Sequence, residues 1–281
     1  MNETAIAWTT YTWNAVSGCS KVSQGCKFCY AETLAERYRG QAAFPNGFEL
    51  TYRPHKLKEP FKLKEPSLIF VNSMSDFFWD AISDDYRDQM LDVIKRTPQH
   101  QYQVLTKRPK KMAEYFTTRK VPSNFWCGVT IEDQANKERL GYLKQVDAEI
   151  RFISMEPLIS PVFFEDDDLE GIHWIITGGE SGLHLFKEDV RLHRSLVNLD
   201  EKTRKWTPRE DRMDWIRMIR DACTASGVKY FHKQWGGHKP ESAGRMLDGR
   251  TWNEMPRLPG TDTEIQNGYL KLLEARKEVT L

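Results

Sequence analysis

The chain has 281 residues, 40% hydrophobic and 12% aromatic, with a formal net charge of +1. Near-neutrality excludes a polybasic coat for nucleic acid and an acidic tail, and no run of about eighteen apolar residues is present to span a membrane. The opening MNETAIAWTTYTWN and the odd count of five cysteines point to no secretory signal and to a reducing cytoplasm rather than a disulfide framework.

In chain order, the pattern predicts a strand over Tyr11 to Val16, then a run rich in cysteine, then a helix from Ala31 to Tyr38. Arg53 to Pro66 repeats KLKEP, and its prolines exclude one regular helix. A strand over Ser67 to Asn72 follows. Ser83 is expected to cap a helix with Asp84 and Asp85 in its first turn and Tyr86, Met90, Val93 and Ile94 on its apolar side. Further strands are expected over Gln101 to Thr106, Phe125 to Thr130, Ile150 to Ser154, Ile172 to Thr177 and Val228 to Phe231. Thr207, Pro208 and Glu210 read as a helix start and Gly227 as that helix's end. A tight turn is expected at Leu247 to Arg250 and a terminal helix at Glu264 to Glu278.

Strand and helix alternation implies an α/β fold, a partial or full (β/α) barrel of six to seven parallel strands over residues 1–235, with a C-terminal extension at 236–281 packed on it. Polar residues follow six of the strands: Asn72 to Asp76, Thr106 to Arg108, Thr130 to Glu132, Ser154 to Pro157, Gly178 to Gly182 and His232 to Trp235. In a barrel those ends share one face, where the active site lies. Polar loops also end strands in ordinary folds, but six loops rich in ionisable residues favour a site.

Cys19, Cys26 and Cys29 lie within SGCSKVSQGCKFCYAE. Three thiolates hold a soft metal or an iron–sulfur cluster and leave one position open. Three readings compete: a structural zinc with His55 or another cysteine as fourth ligand, plain thiols, and an iron–sulfur cluster with an open iron. Cys127 and Cys223 sit in apolar contexts and read as buried core thiols.

The segments VSGCSKVSQGCKFCYAE, FVNSMSDFF, LTKRP, GVTIE, SMEPL, TGGESG and FHKQWG together resemble the radical S-adenosylmethionine superfamily, and most closely its phage-associated three-cysteine-motif proteins. The resemblance covers roughly Thr12 to Gly236. It departs from the common superfamily spacing, since six residues, not three, separate the first two cysteines. It implies a [4Fe–4S] cluster on Cys19, Cys26 and Cys29 whose open iron chelates S-adenosyl-L-methionine, and an external reducing electron donor. It places Ser73, Ser75 and Asp76 on the cofactor's amino group. Phe28, Thr106, Lys107, Thr130, Glu132, Gly178, Gly179 and Glu180 join them as cofactor contacts.

Lys233 and Glu156 are the candidate catalytic residues, with Arg108 and Gln234 as further polar contacts. Trp13, Phe28, Tyr30, Phe77, Phe78, Trp79 and Trp235 are candidate stacking walls, each with ordinary core packing as its plainer reading. The implied substrate is a nucleobase, or an amino-acid adduct of one, in phage DNA hypermodification, where the reaction is an isomerisation or another modification and the location the host cytoplasm. Basic clusters at Arg53 to Lys64, Lys107 to Lys111 and Arg191 to Arg194 suit a phosphate-tracking strip or solvated faces. A free metabolite or peptide is the alternative substrate, and a non-catalytic zinc or iron–sulfur nucleic-acid-binding protein the alternative class.

Overall fold

The computed structural model describes residues 1–256, so the helix expected at Glu264 to Glu278 lies outside the described residues. The described chain divides into two compact units, Met1–Gly128 with Gln145–Glu149, and Val129–Lys144 with Ile150–Pro256.

In the first unit β1 (Asn2–Glu3) pairs antiparallel with β2 (Tyr11–Trp13). β3 (Val16–Ser17) comes next, then α1 (Tyr30–Arg37) and β4 (Thr51–Tyr52), which pairs antiparallel with β3. β5 (Leu68–Val71), α2 (Asp84–Arg96), β6 (Gln101–Thr106) and α3 (Pro109–Phe116) follow, and β7 (Phe125–Thr130) begins in this unit and runs past its boundary at Gly128. β2, β5 and β6 run parallel, in a register that aligns Trp13 with Val71 and Val71 with Val104. The second unit holds α4 (Arg139–Lys144), β8 (Arg151–Met155) and β9 (Trp174–Gly178). It continues with α5 (Glu188–Arg194), the antiparallel pair β10 (Val197–Leu199) and β11 (Trp206–Pro208), α6 (Glu210–Ser226) and β12 (Lys229–Gln234). There β9 lies between β8 and β12, parallel to both. The fold class is α/β with a mostly parallel sheet, as the strand–helix alternation implied.

Every residue of β5, β7 and β9 is buried. Such strands carry continuous apolar runs because both faces are covered. α2 forms as its sequence dictates. The Ser83 hydroxyl accepts the Tyr86 amide at 3.3 Å, two aspartates occupy the positive first turn, and Tyr86, Met90, Val93 and Ile94 are buried. Each such apolar side chain contributes roughly 1.5–3 kcal/mol by leaving water. Gly227 ends α6 at φ 69°, and Asp248 and Gly249, at φ 51° and 77°, make the expected turn between Leu247 and Arg250.

Three expectations are corrected. The first strand stops at Trp13, because the Asn14 side chain turns to accept the Met74 amide and Ala15 gives its carbonyl to the Arg53 amide and the Tyr86 hydroxyl. Thr207 and Pro208 belong to β11, and α6 begins at Glu210 with no side-chain cap. β12 runs three residues beyond Phe231 to Gln234, since Thr177 partners the polar His232 that disguised it. The segment from Arg53 to Pro66 contains two short 3-10 turns, Pro54–Lys58 and Pro60–Lys62, that do not follow the KLKEP repeat. Residues after Trp235 continue in the second unit, where the His232 amide bonds the Trp252 carbonyl and the Glu254 amide that of Tyr230. No helix among the described residues is long and apolar enough to cross a membrane.

Candidate metal centre

The cysteine loop leaves β3 at Gly18. That residue sits at φ 94°, and a Cβ there would meet the Glu49 carbonyl oxygen at 2.3 Å. Only glycine fits such a backbone. The Gly18 amide donates to the Met74 carbonyl at 3.0 Å, the Ser75 hydroxyl donates to the Gly18 carbonyl at 2.6 Å, and the Cys19 amide reaches the Phe48 carbonyl at 3.3 Å. The Arg53 guanidinium adds a bond to the Ser17 hydroxyl at 3.0 Å. The loop after β5 and the cysteine loop are thereby stitched together at their bases. Asn14 and Ser73 exchange side-chain bonds at 3.1 and 3.2 Å, and the Tyr30 hydroxyl donates to the Ser73 carbonyl at 2.6 Å.

Cys26 closes a 3-10 turn, Gln24–Cys26, and Cys29 occupies the N-cap of α1. All three cysteines are free and half-buried. Burial pushes the Cys19 thiol up to about 11, with the Asp76 carboxylate adding to the rise and the Arg108 cation opposing it. Burial also raises Cys29, against the Glu32 and Ala31 amides that face it at the helix start.

The strand-end residues of this unit converge on Asp76. One carboxylate oxygen accepts the Thr106 hydroxyl at 2.6 Å and the Phe78 amide at 2.9 Å. The other accepts the Lys107 amide at 3.0 Å and Arg108 Nη1 at 3.1 Å. Arg108 Nη2 donates to both the carbonyl and the hydroxyl of Ser20 at 2.8 Å, and Nη1 lies 3.5 Å from Cys19 Sγ. Asp76 and Thr106 are therefore engaged within the chain. The Lys107 ammonium favours the Cys29 thiolate. Asn72, which opens one of the strand-end loops but had no role of its own in the sequence reading, is buried at φ 58° with neither side-chain polar atom bonded among the described residues. An asparagine directly after a strand, before Ser-x-Ser-Asp, is the signal that marks it.

The second unit holds the other candidates. Glu156 Oε1 accepts Lys233 Nζ at 2.5 Å and Gln234 Nε2 at 3.2 Å. Glu132 is fully buried and accepts Arg139 Nη1 at 2.7 Å, while the buried Thr130 hydroxyl has no partner among the described residues. Glu180 takes Arg194 through Nε at 2.9 Å and Nη2 at 2.8 Å. A Cβ on Gly179 would stand 2.0 Å from the Trp235 carbonyl oxygen, so GGE and WGG approach as bare backbones, with Gly178 under the Glu156 carboxyl. His232 is buried between Thr177, 3.0 Å from its Nδ1, and the Trp235 ring, and burial lowers it to about 3.

Of the aromatic candidates, Trp13, Phe77, Phe78 and Trp235 lie in the core. Trp13 and Trp235 bond the Lys56 and Met246 carbonyls, and Phe77 packs edge-on against Phe78 and Phe125. Phe28 and Trp79 are half-buried and Tyr30 is exposed. The expected basic clusters are partly structural: Arg53 anchors the cysteine loop, Lys111 pairs with Asp84, and Arg191 stacks over Trp206.

Among the described residues, no three His, Cys, Asp or Glu side chains are gathered to hold a metal ion, so His55 forms no such group with two of the cysteines. The donor set nonetheless suits a cluster. Its three thiols are outside any disulfide and share one loop, and a cluster's ligands bind separate irons and so stand farther apart than the ligands of one ion.

A structure of a spore photoproduct lyase mutant with dinucleoside spore photoproduct is similar to this chain, at 13% identity over 80% of this chain and 76% of that one, with TM-score 0.52. A second mutant of that lyase, with bound AdoMet and dinucleoside spore photoproduct, is similar over the same shares at 13% identity and TM-score 0.50. At this identity the likeness shows a shared fold. No curated protein matches the chain. The model of the family described as Protein of unknown function (DUF5131) matches residues 3–199 and 205–256, and the chain belongs to that family.

Proposed function

We propose that the protein is a radical S-adenosylmethionine enzyme that isomerises or otherwise modifies a nucleobase, or an amino-acid adduct of one, in DNA. The observation that carries the reading is the cysteine loop itself. Three free thiols project from a segment whose base is pinned by Gly18, Ser75 and Phe48 and whose first sulfur faces a buried guanidinium. Cys19, Cys26 and Cys29 hold the cluster. When bound, the cluster and S-adenosylmethionine supply a reducing electron and a carbon-centred radical.

The remaining work belongs to the chain. Lys107 offers a cation beside Cys29 for a carboxylate. Ser73 and Ser75 keep their loop rigid through Asn14 and Gly18 and so fix the orientation of what binds there. Lys233 Nζ holds a proton against Glu156 Oε1, which suits this pair to deliver or accept a proton at a substrate heteroatom. A nucleobase substrate draws support from the shared fold, since both similar structures carry a dinucleoside spore photoproduct. Phage hypermodification is the setting that the motif resemblance adds.

The test is anaerobic reconstitution with iron and sulfide, followed by a reductant and S-adenosylmethionine. The wild type is expected to release 5′-deoxyadenosine and Cys26→Ala none. A variant that cleaved as fast as wild type would remove the proposal. DNA affinity that falls steeply with salt separates a DNA substrate from a free metabolite.

A further inference from the structure

Arg108 is placed where no solvent-facing anion binder would sit. Its backbone is fixed between the end of β6 and Pro109, the first residue of α3, and its amide bonds the Thr106 hydroxyl at 2.9 Å. The side chain is only 8% exposed. Both terminal nitrogens are held: Nη1 by Asp76 at 3.1 Å, Nη2 by the Ser20 carbonyl and hydroxyl at 2.8 Å each. The planar group cannot swing away without losing several charge-assisted bonds. Held so, it keeps Nη1 at 3.5 Å from Cys19 Sγ.

A fixed cation that donates toward a ligand sulfur acts on the metal group beyond it. One-electron reduction adds a negative charge to a cluster. A buried guanidinium beside one ligand stabilises the reduced form, and hydrogen bonds to the sulfurs act in the same direction. The Asp76 carboxylate opposes this at the same nitrogen, accepting Nη1 at 3.1 Å. Resting on the cluster reading above, we infer that Arg108 is a positioning residue that sets the reduction potential of the group on Cys19, Cys26 and Cys29, with Asp76 as its counterweight. The ligand class is an anionic iron–sulfur group whose charge changes by one.

A purely mechanical brace makes a different forecast. If Arg108 and Asp76 only hold the loop, removing either loosens the same contact, and any change in potential has one sign. If they act through charge, Arg108→Gln lowers the potential and Asp76→Asn raises it.

The experiment uses the full chain, reconstituted anaerobically as wild type, Arg108→Gln, Arg108→Lys and Asp76→Asn. Iron is counted, and the midpoint is read by electron paramagnetic resonance during a dithionite titration. The expected result is unchanged iron, with the ratio of reduced to oxidised cluster at fixed poise about tenfold lower in Arg108→Gln, or ~59 mV for one electron. Arg108→Lys falls between that variant and the wild type, and Asp76→Asn shifts the opposite way. Full iron with an unmoved midpoint in Arg108→Gln overturns the inference and leaves the cluster reading intact, as does a shift of one sign in both charge variants. Should Arg108→Gln fail to take up iron, Asp76→Asn decides: an upward shift supports the inference and an unshifted midpoint overturns it. A wild type that binds no iron overturns the cluster reading itself.

Discussion

The cysteine loop of the first unit and the glycine junction of the second both carry a motif and a buried carboxylate–arginine pair, yet they are built in opposite ways. At the cysteine loop, Arg108 is shared among Asp76, Ser20 and Cys19, and none of the three cysteines is in a disulfide. At the junction, Arg194 clasps Glu180 through two nitrogens, and the glycines of GGE and WGG are filled by one another's backbone. One region holds reactive groups in a rigid frame and leaves them open. The other is closed by packing. A motif of reactive or flexible residues thus says little until the partners of each polar atom are known.

Substitutions should separate the two regions. The largest effect on stability is expected from Glu180→Ala, which removes the carboxylate that two nitrogens of the buried Arg194 clasp and costs about 3–5 kcal/mol in a denaturant titration. A loss under ~1 kcal/mol would mean that the pair is dispensable to the fold. Gly179→Ala comes next. Its Cβ would meet the Trp235 carbonyl oxygen, and overpacking of this kind costs roughly 1–3 kcal/mol; an unchanged melting temperature would refute the tight junction.

The same junction contains a pH dependence. His232 is held near 3, below its unfolded value of 6.5, so between those limits the unfolded state binds more protons. Stability is full above about pH 6.5 and falls as pH drops toward 3, by at most roughly 1.4 kcal/mol per unit from this group. Comparing melting temperatures at pH 7 and pH 5 in wild type and His232→Asn isolates it, and a slope that survives the substitution belongs to other groups. The smallest effect is expected in the first region. Cys26→Ala removes a half-buried thiol that makes a long 3.8 Å bond with the Ser23 hydroxyl and should change the stability of the metal-free protein by no more than about 0.5 kcal/mol, which calorimetry reads directly.

Much of this was legible in the sequence. The apolar runs of β6 and β7 have the bounds their residues suggest, and Ser83, the double aspartate and the Tyr86 to Ile94 spacing mark α2 completely. These signals are local, and local chemistry decided the outcome. The misread places all turn on partners remote in sequence. Asn14 leaves the first strand for the Met74 amide, Thr207 and Pro208 are drawn into a strand by Val197 and Asn198, and His232 extends β12 because Thr177 answers it. The same holds at the site. The three cysteines announce themselves, but Arg108, which looks like a surface anion binder beside Lys107, is committed by Asp76 and Ser20. No spacing rule reveals that.

The most direct test is an iron and zinc count on anaerobically reconstituted wild type beside Cys19→Ala, Cys26→Ala and Cys29→Ala. About four irons per chain in the wild type, no zinc, and loss of iron in each variant is the expected result. One zinc per chain in place of iron, or iron retained after all three substitutions, would contradict a cluster on this loop and the chemistry derived from it.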